Sequence, residues 1–463
     1  MRMIFPRDFF WGAATSAYQI EGATREDGRG LSVWDQFAAT PGRTYQGETG
    51  ERAVEHYHRM EQDVALMADL GLTAYRFSIA WPRIVPDGVG AVNQPGIDFY
   101  DRLVDQLLAQ NITPVVTLHH WDLPLALFEQ GGWRNRATAD AFADYATTMA
   151  RALGDRVRWW TTLNEPWCPA YLGYVEGVHA PGVKGDMQAA VDVGHHLLLA
   201  HGLATQAMRA IMPAETRIGI ALNLFPIFAG DAHPESLRAA ERAYRFHTRW
   251  FLDPVFRGEY TPGLFDDLGV TPPPIQDGDL KTISTPTEFL GVNYYNRWIV
   301  RAGSDLPADG NGSGIEYVTD LPDATFTEMG WEVYPHGLGL ILEDLTRNYH
   351  PRALLITENG AAFDDVWNGN NHVSDPQRVR YLSEHLRAVG DAMAHGAPVA
   401  GYFVWSLFDN FEWAEGYSKR FGLVYVDFAT QRRIIKDSGK WYAGFIANQR
   451  ALHAVPPQPP QPR

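Results

Sequence analysis

Val54-Glu-His-Tyr-His-Arg-Met60-Glu-Gln-Asp-Val64-Ala-Leu-Met67-Ala-Asp-Leu70-Gly71-Leu-Thr-Ala74-Tyr-Arg76-Phe-Ser-Ile79 is the stretch that decides the fold. Val54, Tyr57, Met60, Val64, Met67 and Ala68 fall on one stripe of a 3.6-residue repeat, and Gly71 stops the pattern. Ala74–Ile79 follows at once, apolar on both faces, as suits a parallel strand covered on each side. The same unit recurs in both directions. Strands are predicted at Phe10–Ser16, Ala74–Ile79, Thr113–Leu118, Trp159–Leu163, Arg217–Leu222, Phe289–Tyr294, Ala353–Thr357 and Val399–Trp405. Helical periodicity fills the gaps, including Ile97–Leu108 and Ala139–Leu153. Eight alternations of strand and helix predict an α/β fold, a single (β/α)8 TIM barrel. The Pro- and Gly-rich stretches Thr261–Thr287 and Arg301–Asp323 are expected to be long rim loops. One catalytic domain is predicted over residues 1–450, with a Pro-rich tail over 451–463 outside the core.

Composition narrows the function. Of 463 residues, 45% are hydrophobic and 20% charged, which fits a large packed core. The 15 Trp exceed what a core requires, so some are expected at sites that use a flat apolar face together with an N–H. Thirty-nine Lys and Arg against 55 Asp and Glu give a charge of −16. That balance disfavours nucleic acid, anionic membranes and phosphorylated substrates, and points to a neutral small molecule. The single cysteine, Cys168, excludes an intrachain disulfide and fits a reducing compartment. No signal peptide and no membrane span is read, so a cytoplasmic protein is expected. Nothing in the sequence chooses between monomer and homo-oligomer.

Polar and aromatic residues gather where the predicted strands end: His119-His120-Trp121-Asp122 after the third, Asn164-Glu165-Pro166 after the fourth, Asn293-Tyr294-Tyr295 after the sixth, Glu358-Asn359-Gly360 after the seventh and Trp405-Ser406 after the eighth. In a parallel barrel these ends share one mouth, where active sites lie. Glu165 and Glu358 stand out, on strands placed across the barrel from each other. For an arbitrary glutamate the plain reading is a strand-end ion pair. Two at equivalent ends, each beside an Asn, instead suit glycoside cleavage, in which one carboxylic acid protonates the leaving oxygen and a carboxylate attacks the anomeric carbon or activates water. A gap of ~5 Å between them means retention and ~6.5–9.5 Å inversion. His195-His196 and His119-His120 are sequence neighbours, poorly placed to share a metal, and no metal or other cofactor is predicted. Cys168 is read as a small buried hydrophobe rather than a reactive thiol. Trp331, in a loop after Gly330, is read as pocket wall.

At Thr161-Thr-Leu-Asn-Glu-Pro166 and Ile356-Thr-Glu-Asn-Gly360 the chain resembles glycoside hydrolase family 1, and the likeness runs from about Phe5 to about Ile446. Its motifs include Phe10-Trp-Gly-Ala-Ala-Thr15, Tyr18-Gln-Ile-Glu-Gly22, His120-Trp-Asp-Leu-Pro124, Gly291-Val-Asn-Tyr-Tyr295, Asp409-Asn-Phe-Glu-Trp413 and Arg420-Phe-Gly-Leu423. The resemblance implies a single barrel that hydrolyses β-glycosides with retention. It implies Glu165 as acid/base and Glu358 as nucleophile, with Tyr295 and Arg76 against the nucleophile and Asn293 bracing the acid/base. It further implies Gln19, His120, Trp121, Asn164, Trp405, Glu412, Trp413 and Phe421 around the sugar. Arg76 is expected to hold the pKa of Glu358 down, and the Glu358 charge with partial desolvation to raise that of Glu165. Phosphosugar members of the family carry a Ser/Lys grip where Glu412-Trp413 stands here, so an unphosphorylated glycone is expected, chiefly β-D-glucose, with β-D-galactose and β-D-fucose as alternatives. Val175-Glu176 replaces smaller residues and is expected on the aglycone side. A non-catalytic sugar-binding barrel would lack one of the two carboxylates.

Overall fold

The computed structural model describes residues 4–303, 314–369 and 371–454. Eight parallel strands close into a barrel: β1 (Phe10–Ala14), β2 (Ala74–Ser78), β3 (Thr113–His119), β4 (Trp159–Asn164), β5 (Arg217–Asn223), β6 (Phe289–Asn293), β7 (Leu354–Asn359) and β8 (Val399–Trp405). Each pairs with its neighbours in the chain, and β1 closes the ring on β8 with Phe10 opposite Gly401. β4 and β7 stand three places apart around the ring, with β5 and β6 between them, so the expected face-to-face placement is an oblique one.

The helices form where the apolar stripes lie. α1 (His56–Asp69) buries Met60, Val64 and Met67, and Gly71, at φ +69°, turns the chain into β2. α2 (Gln94–Ala109) has Pro95 in its first turn and buries Phe99, Leu103 and Leu107 one turn apart. These stripes build the main apolar core between strands and helices. A second, smaller cluster, with Ala74, Val115, Phe289, Leu355 and Phe403, fills the barrel itself. Phe10 on β1 meets Trp159 on β4 at 5.2 Å, a contact that only the interior permits because those strands are not neighbours.

The rim differs from expectation in two places. Thr261–Thr287 contains two short helices, Leu264–Leu268 and Asp279–Ile283, the second tied in by Asp279 to Arg136 at 2.5 Å and to His195 at 3.1 Å. Arg301–Asp323 contributes to a small sheet of Ile227–Ala229, Trp298–Ala302 and Ile315–Tyr317; its residues 304–313 lie outside the described residues. Strands this short, with Val300 their one fully buried residue, carry little periodic signal. The final helix, Asp437–Ala454, runs past the expected boundary at 450, and the rest of the Pro-rich tail, 455–463, lies outside the described residues. No helix among the described residues is long and apolar enough to cross a membrane.

Candidate active site

Strict alternation would aim only one of each adjacent pair of residues into the barrel. On β4, Thr162 points outward to His201 at 2.7 Å, so alternation would send Asn164 outward as well. The pairing of β4 with β5 slips between Thr161 and Asn164, and Asn164 turns inward to meet Arg76 of β2. β7 slips against β6 between Ile356 and Glu358. Thr357 and Glu358 then both serve the interior, while Asn359 faces out to Tyr381 at 2.9 Å. Such irregularities re-aim side chains at the cost of ladder bonds.

Three non-glycine residues at the mouth hold left-handed backbone: Glu165 at φ 44°, Trp121 at φ 80° and Trp413 at φ 53°. Each costs about 1–3 kcal/mol and persists only where the surroundings enforce it. Trp121 is pinned by its indole N–H, which donates to the Asn164 carbonyl at 2.9 Å. Gly360, next after Asn359, passes so near β8 that a Cβ there would run into the Trp405 carbonyl oxygen.

A cavity of about 450 Å³ opens at this mouth. Glu165 and Glu358 line it together, with Glu412, His120, Trp121, Trp331, Trp405, Trp413, Tyr295 and Phe421. Neither Lys nor Arg is among the lining residues. Arg76, Asn164, Asn293 and Gln19 stand behind that wall and hold it in place. Arg76 donates to Glu358 Oε1 and to Asn164 Oδ1, each at 2.6 Å. The Tyr295 hydroxyl donates to Glu358 Oε2 at 2.6 Å. Asn293 donates to Glu165 Oε1 at 2.7 Å and also reaches Glu358, so one amide leans on both carboxyls. Gln19 donates to the Phe411 carbonyl at 2.8 Å and to Glu412 Oε2 at 3.4 Å.

Burial sets the electrostatics. It pushes Glu165 up to about 8, with the nearby Glu358 charge adding to the shift and Asn293 and Cys168 opposing it. Glu358 is also raised by burial, against the pull of Arg76 and Tyr295. The expectation that Arg76 would hold Glu358 below its ordinary range is therefore corrected: desolvation outweighs it. The donors still divide the pair, because Glu358 receives a guanidinium and a phenol, so it ionises first. Glu412, half-buried, is pushed up to about 8 by burial, then by the Glu358 charge. His120 lies between Trp405 and Trp413, with ring centroids 5.8 and 5.9 Å away, and burial holds it well below its ordinary pKa, hence neutral. Its Nε2 faces Asn164 Nδ2 at 3.0 Å, and its buried Nδ1 has no partner among the described residues.

Sequence reasoning missed part of the wall. Trp167, Phe225 and Trp298 line the outer side of the cavity, on rim segments with no strand-end signal. Cys168, read as an inert hydrophobe, is indeed buried, and it also touches Glu165 Oε2 through Sγ at 3.2 Å. Val175 and Glu176 do not line the cavity. Glu176 is exposed and bonds Tyr171, which stacks at 4.8 Å on Trp167, so this pair reaches the aglycone side only through those rings. His196 is engaged with the Trp133 carbonyl at 2.9 Å and His195 with Tyr260 at 2.9 Å.

The comparisons with known proteins agree with this geometry. The chain is 46% identical over 446 residues to a 1,4-beta-D-glucan glucohydrolase of Thermotoga neapolitana, covering 96% of this chain and 98% of that one. It is 47% identical over 472 residues to a bifunctional beta-D-glucosidase/beta-D-fucosidase of Bifidobacterium breve, covering 97% and 100%. Among solved structures, a beta-glucosidase from Thermotoga maritima in complex with glucoimidazole superposes with a TM-score of 0.92 at 44% identity, over 97% of this chain and 100% of that one. The family model for glycosyl hydrolase family 1 matches residues 1–451, and the chain belongs to that family.

Proposed function

We propose that this protein is a retaining β-glucosidase that releases terminal β-D-glucose from the non-reducing end of cellobiose, short cello-oligosaccharides and aryl β-glucosides, acting as one catalytic unit over residues 1–450. The observation that carries the reading is the pair of enclosed carboxyls in one cavity with unequal partners, Glu358 held by Arg76 and Tyr295, and Glu165 held by an amide and a thiol. Glu358 is the nucleophile. Glu165, protonated near neutral pH, gives its proton to the glycosidic oxygen as the anomeric carbon joins Glu358. When Glu358 becomes an ester its charge disappears, the pKa of Glu165 falls, and Glu165 takes a proton from the water that hydrolyses the ester.

The remaining residues bind the sugar. Trp405 offers an apolar face to the pyranose, and Trp121, Trp331, Trp413 and Phe421 enclose it. His120 presents Nδ1–H and Glu412 its carboxyl to the hydroxyls, with Asn164 holding the first and Gln19 the second from behind. Four lining glutamates, Glu165, Glu358, Glu412 and Glu415, and no lining Lys or Arg make the cavity hostile to a phosphate, which supports an unphosphorylated glycone. The name of the Bifidobacterium relative, a beta-D-glucosidase/beta-D-fucosidase, supports β-D-fucosides as further substrates. The lone buried thiol supports a cytoplasmic location.

Inactivation with a 2-deoxy-2-fluoro β-glucoside, followed by peptide mapping, tests the reading. The label is expected on Glu358; a label on any other residue, or turnover of no β-glucoside, overturns it.

A further inference from the structure

The two oxygens of Glu165 have different neighbours, and donor counting identifies which one holds the proton. Arg76 can only donate. Its Nη2 lies 2.6 Å from the Asn164 amide, so the atom it meets is the oxygen, Oδ1. The Asn293 amide meets that same oxygen at 3.0 Å and must present its nitrogen there. That nitrogen also lies 2.7 Å from Glu165 Oε1. An amide NH2 donates and does not accept, so Oε1 has to offer a lone pair and cannot carry a proton along this contact. The Thr357 hydroxyl, 2.6 Å from Asn293 Oδ1, holds the amide in this sense. The other oxygen, Oε2, faces Cys168 Sγ at 3.2 Å.

We propose that Glu165 carries its transferable proton on Oε2, and that Cys168 is a positioning residue whose thiol reverses its hydrogen bond as Glu165 changes from acid to base. The proposal rests on the reading of Glu165 as acid/base. In the acid form Oε2–H points to Sγ, a weak acceptor. In the first step this proton passes to the glycosidic oxygen, the bond from that oxygen to the anomeric carbon breaks, and Glu358 takes its place on the carbon. Glu165 is then a carboxylate, and the thiol rotates to donate Sγ–H to Oε2. In the second step Oε2 takes a proton from water as the water oxygen displaces Glu358, and the thiol turns back. A thiol suits both roles because it donates and accepts weakly and holds neither state fast. It stays protonated here, since burial first and the Glu165 charge second push its pKa up. Its backbone N–H also donates to the Glu165 carbonyl at 2.9 Å, which fixes the distance between the two side chains.

The charged and titratable groups that act on Glu165 from other elements are Glu358 on β7, Arg76 on β2, Tyr295 after β6 and Glu412 after β8. Replacing Cys168 leaves all four in place, so its contribution can be read alone. The test is the pH dependence of kcat/KM on cellobiose, whose poor leaving group needs the acid, in Cys168→Ala and Cys168→Ser. Losing the donor disfavours the carboxylate, so the alanine variant should move the alkaline limb up; a hydroxyl donates more strongly, so the serine variant should move it down, each by about half a unit or more. Limbs within about 0.2 unit of wild type in both variants, or shifts in the same direction, overturn the proposal. A second measurement needs no Cys168 variant to fold. Cys168 is the only thiol in the chain, so the protein gives one infrared S–H stretching band. That band should shift across the alkaline limb of the wild type and stay fixed in Glu165→Gln. A pH-independent band in an active wild-type enzyme sinks this proposal alone, whereas a wild type that cleaves no β-glucoside sinks the parent reading and this one with it.

Discussion

Arg76 and Glu358 meet at 2.6 Å through the middle of the barrel, although their strands β2 and β7 do not pair with each other. The ion pair is enclosed on both sides and is shared with Asn164, so it ties together three strands that carry the chemistry.

Arg76→Met is expected to act on both rate and stability. The guanidinium favours the ionised form of Glu358, so its loss raises the Glu358 pKa and moves the acidic limb of kcat/KM to higher pH. Removing one partner of a buried pair costs about 3–5 kcal/mol. A pH–rate profile and a denaturant melt check the two effects, and an unmoved acidic limb would contradict the assigned role of Arg76.

Tyr295→Phe removes one donor to the nucleophile and leaves the ring against Trp331, 5.1 Å away between centroids. A hydrogen bond to a charged group is worth about 1.5–3 kcal/mol, so kcat should fall by about 10- to 100-fold. Inactivation by the fluoro sugar should slow in parallel, which a general packing defect would not require.

Glu165→Gln separates substrates by leaving group. Cellobiose hydrolysis should fall by about 10²- to 10⁴-fold, because the leaving sugar alkoxide needs a proton. Formation of the glycosyl-enzyme from 2,4-dinitrophenyl β-glucoside should change little, since that leaving group departs unprotonated. Because Glu165 is pushed up to about 8, wild-type kcat/KM should decline as pH rises through that value, and the decline should vanish in the variant. Equal losses on both substrates would remove Glu165 from the acid role.

Lys436→Met probes the support beneath the cavity. Lys436 Nζ lies 2.5 Å from Asp365 and 2.6 Å from Asp409, and Asp409 also holds Arg420, the residue before Phe421. Lys436 and both of its partners, Asp365 and Asp409, are buried, so the variant should lose about 3–5 kcal/mol. Burial raises the Asp409 pKa, but Lys436 and Arg420 outweigh it and hold it below its ordinary value. Its contribution is therefore present above the unfolded pKa, about 3.9, and is lost as pH falls through the folded one. The variant should unfold at higher pH on acid titration, as followed by circular dichroism.

The strands were legible because burial on both faces gives continuous apolar runs: all eight predicted positions hold a barrel strand, and the ends differ by a residue or two. Glu165 and Glu358 were legible from their places at strand ends. Less could be read where geometry depends on a slip of register. Nothing in Trp159–Asn164 announces that Asn164 turns inward, since the slip is a property of the β4–β5 pairing. Gln19 carries no periodic signal that would place it behind Glu412 rather than at the surface of the cavity. The contact between Cys168 and Glu165 escaped notice because the residue type matches an ordinary core position. Trp167, Phe225 and Trp298 sit on rim segments whose course is set by long-range packing, and local composition says little about that.

Gly360 carries a consequence for anyone recombining this scaffold with its relatives. The seventh strand abuts the eighth there with no room for a methyl group, so the segment bearing Glu358 and the segment bearing Trp405 form one transplantable block. A chimera that exchanges them together should keep the spacing between nucleophile and stacking floor. One with a junction between them inherits two surfaces shaped for different partners, and its defect should appear first in the productive seating of the sugar.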